Sequence, residues 1–211
     1  MSNDIYIKVS NKDAGKQYIL VFQKPDTNLN EMYDTLFPVA WKVLPLNSGG
    51  EQSITYPVQL EIMVKESTAS YDARARGTIQ ETPVGQMWRF TNDGDFNVLE
   101  KAPAATVDGL MGCRNEAPQL IDIGLAKSGT PLVVKRRIAQ GDQANFKLTP
   151  KLYFAYVTDI QAGELIKSDV SSSKLFELDL TNLKAVDIEL SIADQNTGKK
   201  QWTARNRRSA S

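Results

Sequence analysis

The stretch QYILVFQKP, residues 17–25, carries four consecutive apolar side chains, Ile19, Leu20, Val21 and Phe22, before Gln23, Lys24 and Pro25 end the run. Successive side chains of a β-strand point to opposite faces of the sheet. An unbroken apolar run of this length therefore reads as a strand covered on both faces. It is far too short for a membrane helix, which needs about 20 apolar residues. Two further runs, FPVAWKVL at 37–44 and LYFAYV at 152–157, have the same character.

Elsewhere the apolar residues recur with period two. Ile5, Ile7 and Val9 alternate with Tyr6 and Lys8, and Val58, Leu60, Ile62 and Val64 alternate with Gln59, Glu61 and Lys65 in outward positions. Phe176, Leu178 and Leu180 follow the same rule, as do Val186, Ile188, Leu190 and Ile192. This pattern predicts strands with one face inward and one wet. Asp93-Gly94 suits a type I′ hairpin turn, with positive φ at both positions, and Gly198 suits the left-handed position of a second hairpin. One short helix is a candidate, NLNEMYDTLF at 28–37, and no βαβ alternation is present. The expectation is an all-β, antiparallel two-sheet β-sandwich of about 11–13 strands with at most one short helix. A single domain is expected over residues 1–204, with a long crossover at 100–118 and a basic C-terminal tail at 205–211. The alternative is two domains divided at 100–118.

The chain has 211 residues, 41% hydrophobic and 24% charged, an ordinary globular composition. The N-terminal MSNDIYIKVSN has no basic region followed by an apolar one, so the product is expected to be cytoplasmic as synthesised, with leaderless export left open. The single cysteine, Cys113, forbids an internal disulfide. Its neighbours read as a loop, where Arg114 could lower the thiol pKa, against the plainer reading of an unreactive, partly buried thiol.

The chain contains no histidine. Ser-His-Asp and Cys-His catalysis and histidine metal sites are thereby excluded. No Walker A or G-x-G-x-x-G loop occurs, and no cofactor is implied. Carboxylates remain. Asp93, Asp95 and Glu100, with Asn92, could offer oxygen ligands to Ca²⁺ around one hairpin, although Asp and Asn also stabilise turns. Glu61, Glu66, Glu81 and Glu100 are the acids open to a glycosidase, but most fall at outward strand positions. A non-enzyme is the expectation.

Charge is balanced at 25 basic and 25 acidic residues, yet 195–211 holds Lys199, Lys200, Arg205, Arg207 and Arg208 and no acid. With Trp202 among them, these six residues are the candidate binding set, for anionic lipid or glycan. Equally, Trp202 could pin the last strand down. Trp41 and Trp88 are expected in the core. Lys135, Arg136 and Arg137 form the other basic cluster, but alternation should turn Arg136 away from its neighbours, which speaks against nucleic acid.

NKDAGKQYILVFQKP resembles the opening of a loosely defined group of small bacterial and fungal β-sandwich proteins. In that group a turn precedes a Tyr-x-Leu-Phe-Gln strand and a proline. The matching residues are Tyr18, Leu20, Phe22, Gln23 and Pro25, with one residue inserted between Leu20 and Phe22. LIDIGLAKSGTPLVVK and FKLTPKLYFAYV are similar to the group's later strands. The resemblance implies a sandwich fold and no activity. The reading that follows is a non-catalytic sandwich that self-assembles into an oligomer or fibre through strand edges, with NDIYIKVS or KKQWTARNRR as donor. A membrane-active or glycan-binding sandwich of cytolysin or lectin type is the alternative.

Overall fold

The structure, a computed structural model, describes residues 4–26, 35–72, 75, 77–94, 96–103, 109–157, 160–168, 170 and 174–210. The described residues contain no α-helix and 17 strands. In chain order these are β1 (Ile5–Asn11), β2 (Gln17–Phe22), β3 (Leu36–Pro38), β4 (Lys42–Leu46), β5 (Gly50–Tyr56) and β6 (Leu60–Glu66). Next come β7 (Thr78–Thr82), β8 (Met87–Asn92), β9 (Asn97–Ala102), β10 (Met111–Asn115), β11 (Ile121–Lys127) and β12 (Thr130–Ile138). The last five are β13 (Gln143–Phe146), β14 (Lys151–Val157), β15 (Leu175–Asp179), β16 (Leu183–Asp194) and β17 (Lys199–Ser209).

The chain is all-β and sandwich-like, in four sheets rather than two. Both ends of the chain build β17-β16-β1-β5 and β15-β14-β2-β4, and the middle builds β3-β12-β11-β6-β7 and β13-β10-β8-β9. Two pairings are parallel, β1 with β16 and β8 with β10. The first two sheets meet face to face where Phe154 and Phe176 of β14–β15 pack on Trp202 of β17, with ring centroids 6.5 and 6.1 Å away. The other two are tied where Trp88 of β8 donates its indole N–H to Thr82 Oγ1 of β7 at 2.9 Å. One buried apolar cluster runs through all four, including Ile7, Val21, Ile62 and Phe90.

β2 explains how its apolar run is tolerated. All four residues from Ile19 to Phe22 are buried, and the strand is paired on both edges, to β14 and β4. Ile19 and Val21 enter the main cluster. Leu20 and Phe22 enter a second cluster with Ala40, Tyr153, Ala155 and Ile166, where Phe22 stacks on Tyr153 at 5.4 Å. That outer cover is a strap. Glu164 and Ile166 lie along Pro38 and Ala40, joined by the bonds Ala40 N–H to Glu164 O (2.9 Å) and Ile166 N–H to Pro38 O (2.8 Å). Leu165, on the strap's other face, belongs to a third cluster with Val39, Met63, Ala126 and Val134. Period-two alternation thus lets two neighbouring strap residues close two sheets.

Several expectations change. FPVAWKVL is not one strand but the crossing from β3 to β4, with Trp41 buried between them. The stretch 100–118 is not strand-free, because it holds the end of β9 and all of β10; these two strands lie on opposite sides of β8, so the chain crosses over between them, and the β6–β11 pairing joins residues on either side of the stretch. The glycine, cysteine and arginine of MGCRN obscure the strand pattern. Cys113 is therefore a core residue, and burial, with Glu116 second, pushes its thiol up to about 12 instead of Arg114 lowering it. Residues 205–209 are not a tail but the end of β17. The 93–96 turn is centred one residue later than expected: Asn92 faces Asn97 and Asp93 N–H donates to Phe96 O at 3.2 Å, so Asp93 flanks the turn and has no positive φ, and Gly94, with φ 101°, follows it. Gly198 has φ 65°, as its hairpin requires. The helix candidate lies outside the described residues up to Asp34, and Leu36 and Phe37 are in β3. Val58 is exposed and Lys65 buried, both against alternation.

Phe22→Ala is expected to cost about 3–5 kcal/mol, the range for emptying a buried aromatic site. Tyr18→Ala, on the same strand but 38% exposed, should cost well under that, on the order of 1 kcal/mol or less. Urea unfolding of both variants checks the two-sided burial; equal losses would contradict it.

Candidate functional site

The six candidate residues of β17 do not form one patch. Lys200, Trp202 and Ala204 lie on one face of the strand, and Lys199, Gln201, Thr203 and Arg205 on the other. Trp202 is half-buried, packed against Phe154, Tyr156 and Phe176, and its indole N–H donates to Lys174 O at 3.1 Å. It therefore holds the last strand down. Lys199 sits opposite Asp194, and Arg205 is paired with Glu189 at 3.1 Å. Asn206, with φ 51°, and Arg207 are the extra residues of a bulge between Arg205↔Asp187 and Arg208↔Ala185. Arg207 Nη2 donates to Asp179 O at 3.0 Å.

What the fold does bring together is a groove of about 440 Å³ at the open ends of β2, β14 and β17. Lys16, Gln17, Tyr18, Tyr156, Val157, Lys174 and Lys200 line it. Lys200 Nζ lies 4.7 Å and Lys174 Nζ 5.9 Å from the Tyr156 ring centre, and Lys16 Nζ 5.3 Å from that of Tyr18. The ring faces attract the ammonium groups. No acid is among the described lining residues. Of the sequence candidates only Lys200 takes part, with Trp202 behind it. Lys16, Tyr18, Tyr156 and Lys174 were missed because they come from three distant segments, and only the β2–β14 pairing that sets Val157 opposite Tyr18 reveals their proximity.

Buried charge is concentrated at two other places. Asp122 of β11, 2% exposed, faces a bulge in β12. Its carboxylate accepts the backbone N–H of Arg137 (3.0 Å, φ 60°) and the Arg136 Nε–H (3.3 Å). The bulge breaks simple alternation, so Arg136 turns inward toward Asp122. Arg136 Nη2 also donates to Thr68 O at 2.6 Å. Lys65, opposite Asp122, donates to Asp72 O and lies 3.6 Å over the Tyr71 ring. These polar groups serve one another and the bulge. At the second place, Lys127 is 4% exposed, and its ammonium donates to the carbonyls of Pro57, Val58 (3.0 Å) and Gln59 (3.3 Å). It also lies over the Tyr56 ring at 4.6 Å, and Tyr56 OH donates to Gln23 Oε1 at 2.6 Å. Burial pushes the Lys127 pKa down to about 8, against the weaker upward pull of Asp4 and Glu61.

The acids scatter. Asp93 Oδ1 accepts Phe96 N–H at 2.8 Å, and Asn92 Oδ1 accepts Gly94 N–H at 2.8 Å, so both brace the turn. Glu100 pairs with Arg89 across β8–β9 at 2.8 Å, and Asp95 lies outside the described residues. Among the described residues no three acids or thiols converge as a metal set. Glu61 and Glu81 are opposite one another on β6 and β7, but the Glu61 carboxylate accepts Gly129 N–H at 2.8 Å. Glu66 and Glu100 lie elsewhere, on β6's end and on β9. No family model, curated protein or solved structure matches the chain.

The lowered Lys127 pKa has a sign that can be measured. Between about pH 8 and the ordinary lysine value of 10.5, the unfolded chain binds the proton that the folded chain has released, so stability rises with pH. Lys65 is shifted the same way. Tyr56 and Tyr71 are raised from 10.0, so they act oppositely above that pH. Unfolding free energy should therefore climb from pH 8 to 10. Lys127→Met should flatten the climb and cost about 1–3 kcal/mol at pH 7, because three partly buried carbonyls lose their donor. An unchanged slope in that variant would refute the assignment.

Proposed function

We propose that this protein is a non-catalytic β-sandwich that assembles with copies of itself through a sheet edge. The observation that carries the reading is β17: eleven residues long, among the described residues it is paired on one side only, to β16, and is the outermost strand of its sheet. An open edge of that length is a template for a further strand. The N-terminal strand β1, by contrast, is interior, paired to β16 and β5, and offers no edge.

Charge favours one geometry. Two β17 strands pairing antiparallel would set Lys199 and Lys200 near Arg207 and Arg208, and like charges directly opposite are destabilising. β5, at the other edge of the same sheet, has no basic residue and exposes Glu51. Pairing β17 of one copy with β5 of the next continues the sheet head-to-tail, which gives an open chain of subunits.

Light scattering coupled to size exclusion is expected to show species well above the 23.4 kDa chain at high protein concentration. Glu51→Lys should return them to monomer. The Lys8–Glu51 pair it breaks is exposed, at 3.5 Å, and contributes little. A wild-type protein that stays monomeric at every concentration overturns the reading.

A further inference from the structure

We propose that the groove at Lys16, Tyr18, Tyr156, Lys174 and Lys200 is a binding site for a soluble, multiply charged oxyanion, a phosphate or sulfate ester carried on a sugar-sized ring. The argument starts from electrostatics. Three ammonium groups from three separate segments converge on one groove, and among the described residues no acid lines it. No ion pair holds any of the three among the described residues, whereas Lys8, Lys151, Arg89, Arg136 and Arg205 all have carboxylate partners. Gathering like charges without a counter-charge is unfavourable in the free protein, and a polyanion relieves it. The lysines are also partly ordered. Lys174 and Lys200 share the Tyr156 ring and Lys16 lies over Tyr18, so less side-chain freedom is lost when an anion arrives.

The ligand class follows from the same residues. Ammonium groups act on phosphate as point charges. The groove's volume of about 440 Å³ is within the range of small-molecule sites. A membrane source for the anion is disfavoured by the rim. Among the described residues, the exposed large apolar side chains of Tyr6, Val58, Ile79, Val84, Phe96 and Leu120 lie outside the groove, and only that of Tyr18 belongs to it. The groove shares one residue, Lys200, with the β17 edge, whereas Lys16 and Lys174 lie on other segments and Glu51 is not part of it, so Glu51→Lys abolishes assembly with every groove residue in place and the two proposals fail separately.

The test uses the full chain and inositol hexakisphosphate as the probe, by titration calorimetry at low and at physiological salt. Binding in the micromolar range that weakens with salt is expected, with at least a tenfold loss in Lys16→Gln/Lys174→Gln/Lys200→Gln. A control triple, Lys101→Gln/Lys135→Gln/Lys167→Gln, removes the same charge elsewhere and should bind within twofold of wild type. Both triples should keep the wild-type Tm within a few degrees, because four of the six are exposed and each triple changes one half-buried lysine, Lys200 or Lys135. Phosphatidylcholine vesicles containing a phosphoinositide should not carry the protein in flotation. No binding of the probe, or equal loss in both triples, overturns the site. Flotation that depends on the three groove lysines overturns the soluble source and makes the ligand a lipid headgroup.

Discussion

Everything in this fold depends on covering β2 twice. A strand with Ile19, Leu20, Val21 and Phe22 in succession must find apolar partners above and below, and each such side chain contributes about 1.5–3 kcal/mol when buried. The chain meets the requirement with two different structures. Ile19 and Val21 face the sheet that contains β1 and β16. Leu20 and Phe22 face Ala40 and the 163–166 strap. Pro38 and Ala40 hydrogen-bond with the strap, so the crossing from β3 to β4 also serves as an anchor for the cover. Because Leu165 reaches Val39, Met63 and Val134, the same short segment couples the outer faces of sheets from the chain's ends and from its middle.

The interior also holds charges, and their treatment is consistent. Lys127 is surrounded by carbonyls, and Asp122 by a backbone N–H and a guanidinium. A buried polar group left without partners is costly, and here each stabilises an irregular piece of backbone, the 57–59 segment or the β12 bulge. The surface follows a different logic. Lys16, Lys174 and Lys200 are left to face one another, and the cationic β17 edge is left unpaired. Those two features, one a groove and one an edge, are where binding is most readily placed.

The sequence made the sandwich-like, all-β class legible because period-two runs such as Val186–Ile192 are unambiguous, and Trp41 and Trp88, expected in the core from the apolar segments around them, are buried. It failed where a strand lacks alternation. MGCRN of β10 carries one large apolar residue, and Lys65 looks outward until the strand's second face is known to be covered. For Trp202 the sequence leaves staple and contact equally open, and the choice needs Phe154 and Phe176, which come from elsewhere in the chain. The groove was the least legible feature, because Lys16, Tyr156 and Lys174 share no sequence motif. Their proximity is a product of the strand order β15-β14-β2-β4 and of that sheet's packing on β17.

The most direct test of the two-sided cover is native-state hydrogen exchange, read residue by residue. If β2 is enclosed on both faces and both edges, the paired amides among Ile19–Phe22 exchange only through global unfolding, with an opening free energy equal to that from urea denaturation. Exchange of those amides through a cheaper, local opening of the 163–166 strap, well below the global value, would contradict the account.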